Sequence, residues 1–188
     1  MRLASMLVLC MLPGCSLGGG VSSVAKDDAC TVAVRFTEGW LRERGGNPVV
    51  FSDEPESSVP RPLPAAWRLL SGDPGGAPSP SMLRTAGTLP TASAVARCPA
   101  LRALLDRGRI KHGADAIRAV VDGRGPDNSY PVEIFSLSLP SVGADGTEAL
   151  VATGTVSGPE AGGGQILLLK RQADGTWHAV SRQPTWIS

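Results

Sequence analysis

The side chains best suited to covalent or coordination chemistry are few: Cys10, Cys15, Cys30, Cys98, His112 and His178 in a chain of 188 residues. A zinc site takes three or four His, Cys or carboxylate ligands, and two separated histidines fall short of that if Cys30 and Cys98 pair with each other. No metal and no cofactor is therefore expected. His112 follows Arg109-Ile110-Lys111 and lies near Asp115, so a His–Asp pair suited to general-base work is conceivable. A hydrolase using His112 or carboxylates in a cleft between helices and sheet is the enzymatic alternative. The plainer reading makes both histidines surface or hydrogen-bonded structural residues. Asp27-Asp28 reads as a helix cap, and Asp53, Glu54 and Glu56 as a solvated loop. Acid–base catalysis needs positioned carboxyls with shifted pKa values, which spacing alone does not supply. The nucleophile elbow Gly-x-Ser-x-Gly is absent, and Gly154-Thr155-Val156-Ser157-Gly158 has the wrong spacing. Gly162-Gly163-Gly164 lacks the Lys and Ser/Thr of a phosphate loop and reads as a wide hairpin turn. Trp67, Trp177 and Trp186 are expected to cover core rather than line a groove. No catalytic residue is assigned.

The cysteines carry a clearer signal. The chain starts MRLASMLVLCMLPGCS. Arg2 gives a positive n-region, and Leu3 to Leu12 give an apolar stretch about half a bilayer long as a helix. Leu12-Pro13-Gly14-Cys15 then looks like the bacterial lipobox, in which a small residue precedes the acylated cysteine. Residues 1–14 are read as a lipoprotein signal peptide, Cys15 as the lipidation site and residues 15–26 as a flexible tether, since Gly18-Gly19-Gly20 and Ser22-Ser23 suit a linker. The expected address is the cell envelope, with the lipid on Cys15 holding the chain to a membrane. In a Gram-negative cell Ser16 points to the periplasmic face of the outer membrane. In that oxidising compartment Cys30 and Cys98 most simply form one disulfide. It would close a loop worth up to about 4 kcal/mol on the chain-entropy account.

Positioning these residues falls to a single α+β domain over residues 27–188. Lysine and arginine total 18 against 17 acidic residues, with no basic stripe, so nucleic acid is not an expected partner. Val32, Phe36 and Trp40 recur every four residues, predicting a helix over 27–41 ended by Gly45-Gly46. Pro48 to Phe51 reads as a short strand. Residues 52–94 hold eight of the sixteen prolines and form a loose region. Ala65 to Leu70 is a possible turn or two of helix, and Ser71 to Ser81 an exposed loop. Cys98 to Asp106 and Ala114 to Val121 predict two more helices, with Pro99 starting the first and Gly108 ending it. Strands follow at 132–139, 148–156, 165–171 and 177–182, with Pro184 as the stop. Asp145-Gly146 and Asp174-Gly175 are hairpin turns. The fold class is thus α+β: N-terminal and central short helices packed on a C-terminal four-stranded antiparallel β-meander.

Phe135 to Ser188 resembles the C-terminal part of a scattered group of uncharacterised bacterial secreted proteins and lipoproteins. The matching pieces are Phe135-Ser136-Leu137-Ser138, Ala144-Asp145-Gly146 before Ala149-Leu150-Val151, and the glycine run. Leu167-Leu168-Leu169, Gly175-Thr176-Trp177 and Trp186-Ile187-Ser188 complete them. The resemblance implies a sheet and an envelope address, and it implies no activity. The expected role is that of a lipid-anchored, non-enzymatic binding or interaction module, with the membrane and another envelope protein as partners.

Overall fold

The computed structural model of the chain describes residues 28–55, 68–69, 76–86 and 92–188. The expected signal peptide, Cys15, the tether and Trp67 lie outside these residues. The fold is α+β. Helix α1 (Ala29–Glu43) begins where Asp28 caps it, its carboxylate accepting the Thr31 N–H at 2.7 Å. That bond satisfies one of the orphan donors of the first turn. The four-residue spacing puts Val32, Ala33 and Phe36 into the core, with Trp40 half-buried beside them. Gly45 and Gly46, at φ 62° and 83°, turn the chain out of the helix into strand β1 (Val49–Phe51).

Within residues 52–94 the described parts are more ordered than the loop expected there. Arg68–Leu69 is strand β2, paired antiparallel with residues 181–182, and not helix. Pro80–Ala86 is helix α2, so the exposed loop expected over 71–81 gives way to helix at Pro80. Ser79 starts it, its hydroxyl accepting the Met82 N–H at 3.2 Å, and Met82 is fully buried. The proline count masked both, because one buried methionine gives a seven-residue helix no periodicity to read.

Helix α3 (Ala94–Arg97) runs into α4 (Pro99–Arg107) at Cys98, with Pro99 in the first turn. Cys98 and Cys30 of α1 stand with Cα atoms 5.4 Å apart and are joined by a disulfide. Helix α5 (Ala114–Asp122) follows, with Val120 on its buried side.

Among the described residues seven strands make the sheet, six of them in the order β1-β3-β5-β6-β7-β2, where β3 is Glu133–Leu137, β5 Glu148–Gly158, β6 Ala161–Arg171 and β7 Trp177–Ile187. The short β4 (Ser141–Val142) pairs with β5 beyond the end of β3. Between β3 and β4 the ladder is mended by Ser138, whose hydroxyl accepts the Ala152 N–H at 2.8 Å. The antiparallel run β3-β5-β6-β7 contains the expected meander, yet the sheet is wider. Strand β1 adds to β3 in parallel, with Phe51 opposite Phe135, and β2 adds at the far margin. Parallel pairing of distant segments leaves no local mark in a sequence.

Both faces of β5 and β6 are covered, which explains the unbroken runs Ala149-Leu150-Val151-Ala152 and Ile166-Leu167-Leu168-Leu169. One face packs Val151, Leu167, Leu169 and Trp177 under α1 and α4. The other packs Leu150, Ala152, Ile166, Leu168 and Val180 around Met82.

Two expectations about the C-terminal third are corrected. The glycine run is strand, not turn: β5 and β6 meet at Pro159-Glu160, and residues 162–164 stay in register with β5 and β7. Trp186 of β7 lies across them. A Cβ on Gly164 would sit 2.1 Å from the Trp186 indole Nε1, and one on Gly162 would sit 2.6 Å from the Thr155 carbonyl oxygen. Only glycine lets the indole approach the strand so closely. Strand β7 also passes through Pro184, opposite Gln165 beside a bulge. Beyond the two-residue β2, β7 forms the margin of the sheet, where a missing N–H breaks no ladder.

Candidate functional site

Besides the core contacts of Val32 and Phe36, helix α1 meets the sheet at two places that flank a cleft. Near its end, Trp40 stacks on Phe135 with ring centroids 4.1 Å apart and meets Phe51 edge-on at 5.9 Å. Nearer its start, Arg35 donates to the carbonyl of Gly175 in the β6–β7 turn at 2.6 Å. Between these supports a cleft of 530 Å³ opens between helix and sheet, a volume in the range of small-ligand sites.

The floor of the cleft comes from one face of the sheet. Ala149 and Val151 of β5 are buried on that face under the helices. Continuing along it, the strand presents Thr153 and Thr155, and Gln165 of β6 lies directly opposite Thr153. Thr153 is only 2% exposed. Among the described residues no protein group hydrogen-bonds to the side chains of Thr153, Thr155 or Gln165. Thr155 and Gln165 are half-buried, so this polar surface is open to water and to whatever the cleft holds. Above them Gly39 stands in the middle of α1, and a Cβ there would meet nothing within 4 Å. Glycine costs a helix about 1 kcal/mol relative to alanine; here no packing contact accounts for it, and it widens the cleft.

The rim is charged with both signs: Arg35, Arg42 and Arg182 against Glu43 and Asp174, with His178 beside them. Asp174 is already engaged, its carboxylate accepting from the Thr176 hydroxyl at 2.6 Å and from the Thr176 N–H at 2.9 Å. These bonds hold its pKa below the usual carboxylate value. It is an acceptor that shapes the β6–β7 turn, not an acid able to donate a proton near neutrality. Asp127 is held low by the same pair of bonds from Ser129, and Asp28 by the helix cap, the Thr31 bonds leading.

The sequence-derived candidates separate in space. His112 pairs with Asp106 of α4, Nε2 to Oδ1 at 3.0 Å, and not with Asp115, which sits beside Arg118 at 3.4 Å. The backbone around His112 continues the sheet, with Phe51 N–H donating to Lys111 O and Gly113 N–H donating to Phe51 O. The hollow beside the imidazole is shallow and contains no Ser, Thr or Cys. His178 is exposed on β7. Trp177 is buried in the core, as expected, but it also lines the cleft, which was not expected of it. Among the described residues no group of three or more His, Cys, Asp or Glu could hold a metal ion, and no helix is long and apolar enough to cross a membrane.

Thr153, Thr155, Gln165 and Gly39 were not singled out from the sequence. A signal was present: along one face of β5 the side chains change from Ala149 and Val151 to Thr153 and Thr155. The change places the end of the buried face and the start of a wet one, which the usual test for apolar alternation passes over. Comparison of the chain with family models, with curated proteins and with solved structures finds no match.

Proposed function

We propose that this protein is a lipid-anchored bacterial envelope protein whose α+β domain binds a small polar ligand in the cleft between α1 and the sheet, without transforming it. The observation that carries the reading is the floor of Thr153, Thr155 and Gln165, whose side chains have no protein partner. Together they offer two hydroxyls and one carboxamide, able to donate and accept on a single ligand face. The mixed rim of arginines and carboxylates suits a ligand bearing both charges better than a plain anion. On the rim the Thr176 hydroxyl donates to the Asp174 carboxylate and closes the β6–β7 turn, and that carboxylate is shifted away from proton donation. The membrane address rests on the Leu12-Pro13-Gly14-Cys15 motif, and the Cys30–Cys98 disulfide agrees with an oxidising compartment.

Two measurements test the two halves. The intact mass of protein taken from host membranes should correspond to a chain beginning at Cys15 and carrying acyl groups; an unmodified chain sinks the anchor. For the cleft, small-molecule fractions of the host envelope are screened for those that raise the melting temperature of the full chain. Active fractions should lose their effect on Thr153→Val and Gln165→Leu. Equal shifts in wild type and both variants would place the ligand elsewhere. The hydrolase reading built on His112 gains no support from a shallow hollow without a nucleophile.

A further inference from the structure

On the far side of α1, a second pocket of 590 Å³ lies between the helix end, β1 and α5. Its walls are apolar, formed among others by Leu41, Val49, Ile110, Val120 and Val132. Every charged side chain that lines it is a cation: Arg44, Arg109 and Lys111. Arg44 is neutralised by Glu133 and lies over the Trp40 ring, 4.8 Å from its centroid. Arg109 and Lys111 are exposed and have no ion pair among the described residues; Asp106 shares the adjoining hollow with them but is paired with His112.

The backbone at Arg109 makes the arginine conspicuous. Helix α4 closes with the Arg109 N–H donating to Asp106 O and the Ile110 N–H donating to Leu105 O, the paired bonds of a Schellman stop. Such a stop needs a left-handed residue, almost always glycine, and here Arg109 occupies it at φ 54°. Glycine is next door at 108, in ordinary helical geometry at φ −75°, where it is not needed. A left-handed conformation costs an L-residue on the order of 1 kcal/mol. A cation at the C-terminus of α4 also meets the negative end of the helix dipole, and from that position Arg109 lines the pocket as well.

We infer that this pocket binds a single-chain anionic amphiphile, an acyl chain ending in a carboxylate. The chain fills the apolar walls, and the carboxylate meets Arg109 and Lys111. Charge complementarity selects that occupant: an apolar cavity by itself would take any hydrocarbon, but a mouth with two free cations and no carboxylate lining favours an anion at the end. This site is separate from the α1–sheet cleft and its occupant differs in kind.

The test uses the full chain bearing Cys15→Ser, which cannot be acylated at that position. A dansyl-labelled undecanoate reports binding by fluorescence, and dodecanoate, dodecyltrimethylammonium and acetate compete for it. Dodecanoate should displace the probe, while the cationic amphiphile and acetate should not. Lys111→Gln and Arg109→Gly should each weaken the probe by roughly fivefold to tenfold. Arg109→Gly should at the same time raise the melting temperature by about 2 °C, because glycine relieves the left-handed position. Displacement by dodecyltrimethylammonium as strong as by dodecanoate would overturn the assignment. So would undiminished affinity in both variants, or binding to phosphatidylglycerol vesicles with none to dodecanoate.

Discussion

The disulfide between Cys30 and Cys98 holds the start of α1 to the α3–α4 junction, and breaking it should loosen the wall of the cleft before the sheet. The bond spans 68 residues of sequence. For a loop of that length the chain-entropy relation gives about 4 kcal/mol of stabilisation at 25 °C. In a domain of this size each kcal/mol moves the melting temperature by about 2–4 °C, so reduction should lower it by about 8–16 °C. Cys98 is fully buried, so a Cys30→Ala/Cys98→Ala variant adds a cavity cost, and the reduced wild type is the cleaner comparison. Calorimetry or circular dichroism with and without reductant measures the shift. Hydrogen exchange then shows where the loss falls. Val32 and Phe36 pack in the core through contacts of their own, so the fold is expected to survive loss of the bond. Amides of α1 and α4 should lose protection by larger factors than those of β5 and β6, which are buried on both faces. A fall of less than about 4 °C, or equal loss of protection in α1 and β6, would refute the picture of α1 as a wall held by this bond.

Other consequences concern single residues. Gly39→Ala should stabilise the protein by about 0.5–1 kcal/mol in thermal melts, since the new Cβ meets nothing and helix propensity improves; destabilisation would mean the position is packed. The same change narrows the cleft and should weaken any ligand found there. Gly164→Ala should cost about 1–3 kcal/mol and move Trp186, seen as a red-shifted, more quenchable tryptophan emission; an unchanged spectrum would contradict the close approach of indole and strand. Asp28, Asp127 and Asp174 all titrate below their ordinary value of 3.8 in the folded chain. A depressed folded pKa gives stability that is fully present above about pH 5 and is lost as pH falls through 3.8 and below. Asp28→Asn keeps a capping side chain and should flatten part of that acid limb, so an identical pH profile would remove Asp28 from the account.

What could be read from the sequence is what short-range chemistry dictates. Helix α1 follows from Val32, Phe36 and Trp40 at four-residue spacing with Asp28 ahead of them. The turns at Gly146 and Gly175 follow from glycines at positive φ after an aspartate that accepts from the residue two ahead. What could not be read is set by distant partners. Nothing in Val49-Val50-Phe51 says that it pairs in parallel with β3, more than eighty positions away. The glycine run misled for the same reason: its meaning lies in Trp186, which reaches it only across the β6–β7 register. The cleft shows the difference most sharply. Thr153 and Gln165 are unremarkable strand residues twelve positions apart until the β5–β6 register sets them side by side. They become a site only because α1, held away from the sheet by Trp40 at one end and Arg35 at the other, leaves that part of the face uncovered. Had α1 carried a large apolar residue in place of Gly39, the same threonines would have met a lid, and their hydroxyls would have had to find protein partners. The role proposed for the floor thus turns on one missing side chain on another element, which is why a search for catalytic constellations passes over it.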